Sequence, residues 1–318
     1  MGVPVAVVVI VPVVAVLLFL SGCAPAERDA RLTVVCTTYP IYLFASSIAE
    51  GVDGVCVERL DTGSTSCLHD YTLSMGDMKK LERADVIALN GAGLEEFLED
   101  ALAASGAAVI DCSEGVELLE SLSHDHDEDE DGHDHDHGHW DPHYWMDPNN
   151  AIAMVDNIRR ALEELDPDNA EGYMGNALTT CALLGAWDSL ARDLLRESPA
   201  SIPGLITFHD GFRYFARAYD LPLLASIEEE AGSEASAQEI VEITRLVREY
   251  NIPVIFSEVN GSDATAAAVA RETGCAVAQL TMGMDGPDGD LGRYEEALLG
   301  NITAVVNGFA GREVIQTG

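Results

Sequence analysis

Residues 203–226 read PGLITFHDGFRYFARAYDLPLLAS. A short apolar, β-branched run (205–208) is followed by a helix-like stretch over 212–219 and a second apolar run at 221–226. Strand, helix and strand in so few residues make a βαβ unit, whose two strands lie parallel in one sheet. The same rhythm continues with helix 237–249, strand PVIFS, helix 264–273, strand AVAQL and a last helix over 294–309. Working backwards, LTVVC at 32–36, VCVERL at 55–60, DVIALN at 85–90 and AAVIDC at 107–112 alternate with helix-like stretches at 41–50, 75–82 and 94–102. The sequence therefore predicts an α/β protein of two lobes, each with a four-stranded, mainly parallel sheet flanked by helices.

Between the halves lies a helical section over 149–198, with one helix at 149–165 and a long one from about 168 to 197. Thirty residues at 1.5 Å each span roughly 45 Å, enough to run along both lobes as a rigid linking helix. A break near Gly185 would divide it into two shorter helices instead. The expected organisation is a signal peptide at 1–22, a tether at 23–31, an N-terminal lobe at 32–148, the helical section at 149–198 and a C-terminal lobe at 199–318.

The chain has 318 residues, with 55 Asp and Glu against 17 Lys and Arg, a formal net charge of −38. At 47% hydrophobic residues it can bury two cores, which excludes disorder throughout. Phosphate contacts need clustered Lys and Arg, and only Lys79 and Lys80 are lysines, so a grip on nucleic acid is excluded as well. Such a chain favours cations.

Residues 3–20, VPVAVVVIVPVVAVLLFL, form an uninterrupted apolar run long enough to span a bilayer. Pro4, Pro12 and the small exit Ser21-Gly22 fit a cleaved export signal better. Leu20-Ser21-Gly22-Cys23 resembles the lipobox of bacterial lipoproteins, which makes Cys23 the lipidated residue of a membrane anchor. No Lys or Arg precedes the run, a departure from the usual signal. The bulk of the chain is thus expected outside the cytoplasm, at the cell surface or in a periplasm. Six further cysteines (Cys36, Cys56, Cys67, Cys112, Cys181 and Cys275) allow 15 pairings there, and the sequence selects none of them.

One segment fits neither lobe. Residues 123–139, SHDHDEDEDGHDHDHGH, hold six histidines (His124, His126, His133, His135, His137 and His139) and eight carboxylates, with no apolar residue to pack. Such tracts bind divalent transition metals loosely, and this one is expected to be an auxiliary metal-binding loop.

Three histidines lie outside it: His69, His143 and His209. His69 follows the second strand and His209 the fifth, so both fall at carboxyl ends of strands, where parallel sheets bind ligands. His143 sits in WDPHYWMDP. Neutral imidazoles suit zinc, and the neighbouring Asp70 and Asp210 offer carboxylates to orient the rings.

The chain resembles the zinc/manganese solute-binding proteins of bacterial ABC importers, the cluster A-I family. The likeness is carried by HDYTLSMGDMKKLERADVIALNGAGLEEFLE (69–99), DPHYWMDPNN (141–150), TFHDGFRYFARAYDLP (207–222) and IFSEVNGSDATAAAVARETG (255–274). The resemblance implies two α/β lobes joined by a rigid helix, with metal held between them by His69, His143 and His209. It also implies a fourth ligand, a carboxylate, at the position where Thr281 stands in AQLTMGMDGPDGD. Glu258, Asp285 or water remain for that place, with Cys67 ranked last.

The function implied is capture of extracellular zinc for a membrane permease driven by a separate ATPase, by a monomeric chain that is not an enzyme. Three imidazoles favour Zn2+ over Mn2+. An open three-histidine site is also the ligand set of a zinc hydrolase, and a loop-based metal scavenger or adhesin is a third reading.

Overall fold

The structure is a computed structural model that describes residues 31–62, 71–121, 139–226, 236–259, 261 and 263–315. The expected leader, the lipidation site Cys23, Cys67, His69, Asp70 and the loop histidines 124–137 lie outside the described residues.

In the N-terminal lobe, β1 (Leu32–Cys36), β2 (Val55–Arg59), β3 (Val86–Leu89) and β4 (Ala108–Asp111) form a sheet in the order β2-β1-β3-β4. The C-terminal lobe repeats this with β5 (Leu205–Thr207), β6 (Leu223–Ser226), β7 (Val254–Glu258) and β8 (Ala276–Leu280), in the order β6-β5-β7-β8. Every pairing is parallel. In both sheets the strand order reverses between the first and third strands. That leaves a crevice at their carboxyl ends, where open α/β sheets bind ligands.

Both faces of each sheet are covered, and the alternation of side chains along the strands shows how. Val34 and Cys36 of β1 enter the main core, whereas Val35 points to a second cluster with Leu60, Leu81, Ile87 and Leu98. In the other lobe Leu205, Val254 and Phe256 enter the main core, whereas Ile206 and Ile255 pack with Ile243, Val247 and Val269. The main core is continuous through both lobes, so they are joined by packing as well as by chain.

Helices α1 (Tyr39–Ile48), α2 (Met75–Arg83) and α3 (Glu99–Ala104) belong to the first lobe, and α6 (Arg213–Ala218), α7 (Ala237–Glu249), α8 (Ala264–Thr273) and α9 (Gly292–Ala310) to the second. Ser74 with Asp77, and Ser236 with Glu239, form capping boxes that set the starts of α2 and α7. Between the lobes run α4 (Pro148–Leu165), capped by Asp147, and α5 (Ala170–Glu197). A 3-10 turn at Pro167–Asn169 leads into α5, which is unbroken for 28 residues and passes through Gly185 without interruption. It packs on α1 of one lobe and α9 of the other.

Among the described residues no helix is long and apolar enough to cross a membrane. Cys36, Cys56, Cys112, Cys181 and Cys275 are free thiols, so none of the pairings among these five is made. Cys36 and Cys112 are buried, and burial pushes both thiols well above their ordinary pKa.

Candidate metal centre

The two described candidate histidines meet. His209 lies two residues after the end of β5, and His143 sits in the segment between the His-rich tract and α4. Their ring centroids are 5.2 Å apart at an interplanar angle of 86°. Both are deeply buried, His143 with 7% and His209 with 1% of its surface exposed.

Each ring is held from behind by a carboxylate. His209 Nδ1 lies 2.6 Å from Glu258 Oε2, and His143 Nδ1 lies 2.8 Å from Asp141 Oδ1. An ionised carboxylate only accepts, so the proton of each neutral ring sits on Nδ1 and the lone pair on Nε2. His209 Nε2 is buried and has no hydrogen-bond partner among the described residues. Leaving such an acceptor unpaired costs about 1–3 kcal/mol, so its burial requires a function. A neutral imidazole with Nδ1–H on a carboxylate and a bare Nε2 is the arrangement of a metal-ligating histidine.

Two of the orienting carboxylates differ from the sequence expectation. Asp210, adjacent to His209, hydrogen-bonds Ser226, and Glu258 at the end of β7 holds His209. The geometry follows from strand order: β5 and β7 are neighbours, so the ends of both strands reach one point. Asp141 was missed by sequence reasoning, although its spacing two residues before His143 is the available signal. The backbone N–H of His143 also donates to Asp141 Oδ1 at 3.0 Å, which closes a tight local turn.

The remaining candidates are placed as follows. Glu258, expected as a fourth ligand, lies on the Nδ1 side of His209, away from its bare Nε2. Thr281 Oγ1 accepts the N–H of Gly283 at 3.0 Å, and its backbone exchanges two hydrogen bonds with Asn301 of α9. Asp285 is exposed to solvent, whereas both histidines are buried. Among the described residues no group of three His, Cys, Asp or Glu side chains is arranged to hold a metal; His143 and His209 supply two.

Charge sets the titration of the site. Burial works to lower the pKa of His143, but the hydrogen bond and charge of Asp141, with the charges of Asp210 and Glu258, outweigh it and leave the pKa raised. Asp210 is pushed up to about 6, first by burial and then by the charge of Asp141, against the pull of Arg213.

The surrounding network ties His143 to the crevice of the first sheet. Glu95 accepts from Thr37 Oγ1 at 2.5 Å and from the N–H groups of Asn90 and Gly91 at 2.6 and 2.9 Å. Asn90 Nδ2 donates in turn to Pro142 O at 3.0 Å, and Tyr144 OH donates to Asn90 O. The loop ends of β1 and β3 thus position the residue before His143. On the other side Tyr214 of α6 accepts from Leu119 N and donates to Asp141 O. An antiparallel bridge pairs Glu120 with Trp140, and Ser121 N donates to His139 O, so the residues that flank the His-rich tract meet beside Asp141.

The profile of a family described as "Zinc-uptake complex component A periplasmic" matches residues 34–308. The chain belongs to this family. It is 32% identical to the high-affinity zinc uptake system protein ZnuA of Bacillus subtilis, over 80% of this chain and 79% of that protein. It is 29% identical to the iron-binding protein YfeA of Yersinia pestis, over 90% of this chain and 88% of the relative. The zinc-binding lipoprotein AdcA of Streptococcus pneumoniae is 32% identical over 81% of this chain, which spans about half (51%) of that protein. Among solved structures, a crystal structure of ZnuA superposes with a TM-score of 0.72 at 27% identity, covering 87% of this chain and 99% of that one. The solute-binding protein FpvC from Pseudomonas aeruginosa, in complex with Ni2+, gives 0.73 at 28% identity, covering 88% and 97%. The zinc-uptake component A family is one of metal receptors and not of enzymes, which removes the hydrolase reading. Its relatives' names span zinc and iron, and structures similar to this chain include nickel-, manganese- and zinc-bound proteins.

Proposed function

We propose that this chain is the extracytoplasmic receptor of an ABC importer, and that it captures Zn2+ in the cleft between its lobes. The observation that carries this reading is His209 Nε2, buried, without a hydrogen-bond partner among the described residues and 5.2 Å ring to ring from His143, with Nδ1 of each ring on a carboxylate. His143 and His209 come from different lobes, so a cation bound by both links the lobes. His69, after β2, joins them as the third imidazole. Glu258 and Asp141 then act as positioning residues and not as ligands. Three neutral imidazoles favour zinc over manganese. The permease and its ATPase are separate chains, since no phosphate-cradling loop with a Lys occurs in this sequence.

The rest of the chain serves delivery. Cys23 carries the lipid that holds a monomeric receptor at the membrane, and residues 23–31 are the tether. Residues 123–139 collect zinc at low affinity, and the flanking residues that meet beside Asp141 bring that zinc to the cleft. In the chain's own host, loss of the protein is expected to stop growth under zinc chelation. Wild-type chain restores growth, His209→Ala does not, and a chain lacking residues 123–138 restores it only when zinc is less scarce. Full growth with His209→Ala contradicts the proposal.

A further inference from the structure

In the loop after β8, Met282, the neighbour of Thr281, is buried in the main core beside Gly211. Thr281 is turned towards α9: its N–H donates to Asn301 Oδ1 at 2.9 Å, its C=O accepts from Asn301 Nδ2 at 2.7 Å, and its hydroxyl serves Gly283. Met282 is 98% removed from solvent, with only 2% of its surface exposed, and its sulfur lies against Gly211, two residues after His209. A Cβ on Gly211 would stand 2.1 Å from Met282 Sδ and 3.4 Å from His143 Cδ2. Cδ2 is bonded to Nε2, on the edge of the ring that faces away from Asp141. The thioether and the free edge of His143 therefore both border the side of Gly211 that lacks a Cβ, a space the sulfur fills and a side chain at 211 would claim.

The backbone of Met282 is fixed by the same segment that carries His143. Trp145 Nε1 donates to Met282 O at 2.9 Å, and the rings of His143 and Trp145 lie 5.5 Å apart. The carboxylates of Asp141 and Glu258 are engaged on the Nδ1 sides of the histidines. The competing carboxylate oxygens are Asp210 Oδ1 and Asp141 Oδ2, both buried without a hydrogen-bond partner among the described residues.

We propose that the Met282 thioether is a donor of the cleft site and tunes it towards soft closed-shell cations, Cu(I) above all. The inference rests on the cleft reading given above. Imidazole accommodates zinc and copper alike, whereas a thioether is a soft donor that selects Cu(I). The long, unbranched side chain reaches a cation without moving the backbone that Trp145 and Asn301 hold.

The test uses the full chain carrying one equivalent of Cu(I) or Zn2+, so that the tight site fills before the His-rich tract, with a competing chelator reading each affinity. Met282→Leu nearly preserves volume and removes only the sulfur. It is expected to weaken Cu(I) by about tenfold or more while changing zinc by less than about threefold. Copper-edge X-ray absorption is expected to show a sulfur neighbour in the wild type that is lost in the variant. An unchanged Cu(I) affinity, or no sulfur neighbour in the wild type, overturns the inference. So does a loss of Cu(I) preference in Asp210→Asn but not in Met282→Leu, which would assign the role to the oxygen. If His143→Ala leaves both affinities intact, the cleft reading itself fails, a result distinct from any of these.

Discussion

At the scale of residues the site depends on two carboxylates that never need to touch the cation. Asp141 and Glu258 fix the tautomer of His143 and His209 and so leave the lone pair on Nε2 of each ring. Asp141→Asn or Glu258→Gln is expected to weaken zinc binding by about 10–100-fold, as read by chelator competition, without abolishing it. The pH dependence has a definite sign. Because the pKa of His143 is raised, protons compete with metal already above the ordinary histidine value of about 6.5. Zinc affinity therefore falls as pH drops through that raised pKa. The metal-free protein behaves oppositely, since a raised histidine pKa contributes stability that is complete at low pH and is lost as pH rises through the folded-state value. Affinities measured across this window check the first sign and melting curves without metal the second. Of the two described histidines, His209 was legible from its placement after a strand and His143 from the stretch WDPHYWMDP. Their orienting partners were less so: Asp141 is local, but Glu258 reaches His209 only because β5 and β7 are adjacent, which a strand order supplies and a linear spacing does not.

At the scale of elements, short loops at the strand ends are fixed by buried acceptors. Asp77 at the start of α2 is fully buried and accepts from Asp61 N at 2.7 Å, Tyr71 OH at 2.7 Å and Ser74 N at 2.9 Å. These donors flank both sides of the segment that carries His69. Burial acts to raise the Asp77 pKa, but the hydrogen bonds from Asp61, Ser74 and Tyr71 outweigh it and leave the carboxyl below its usual value. Asp77→Ala is expected to cost about 3 kcal/mol in denaturant unfolding, because it leaves several donors without their acceptor. It should also weaken zinc binding by loosening both flanks of His69. The stability Asp77 contributes is present above the unfolded carboxyl pKa and disappears as pH falls through the lower folded value. The eight strands were readable from their β-branched runs, whereas the capping boxes that start α2 and α7 came from the structure. The start of α5 was not, since Pro167–Asn169 forms a 3-10 turn where the sequence pattern reads as helix.

At the scale of the whole molecule, the lobes share one core and are stapled across the cleft. Tyr39 OH donates to Asp288 O at 2.8 Å, Arg59 to Gly286 O at 2.7 Å, Trp145 Nε1 to Met282 O, and Tyr294 OH to Trp145 O at 2.8 Å. With α5 continuous behind both lobes, release of a cation is expected to proceed by small loop or lobe tilts and not by wide opening. The two-lobe plan was legible because each half repeats the same strand and helix rhythm. The staples were not, because they join side chains to carbonyl groups more than a hundred residues away. The central claim is that one tight cation site lies between the lobes and needs a histidine from each. Zinc titrated into the full chain against a competing chelator tests it directly, with His143→Ala and His209→Ala alongside. The account predicts one tight site in the wild type that is lost in either variant, with the weaker binding of the His-rich tract retained in both. A tight site that survives both substitutions would contradict it.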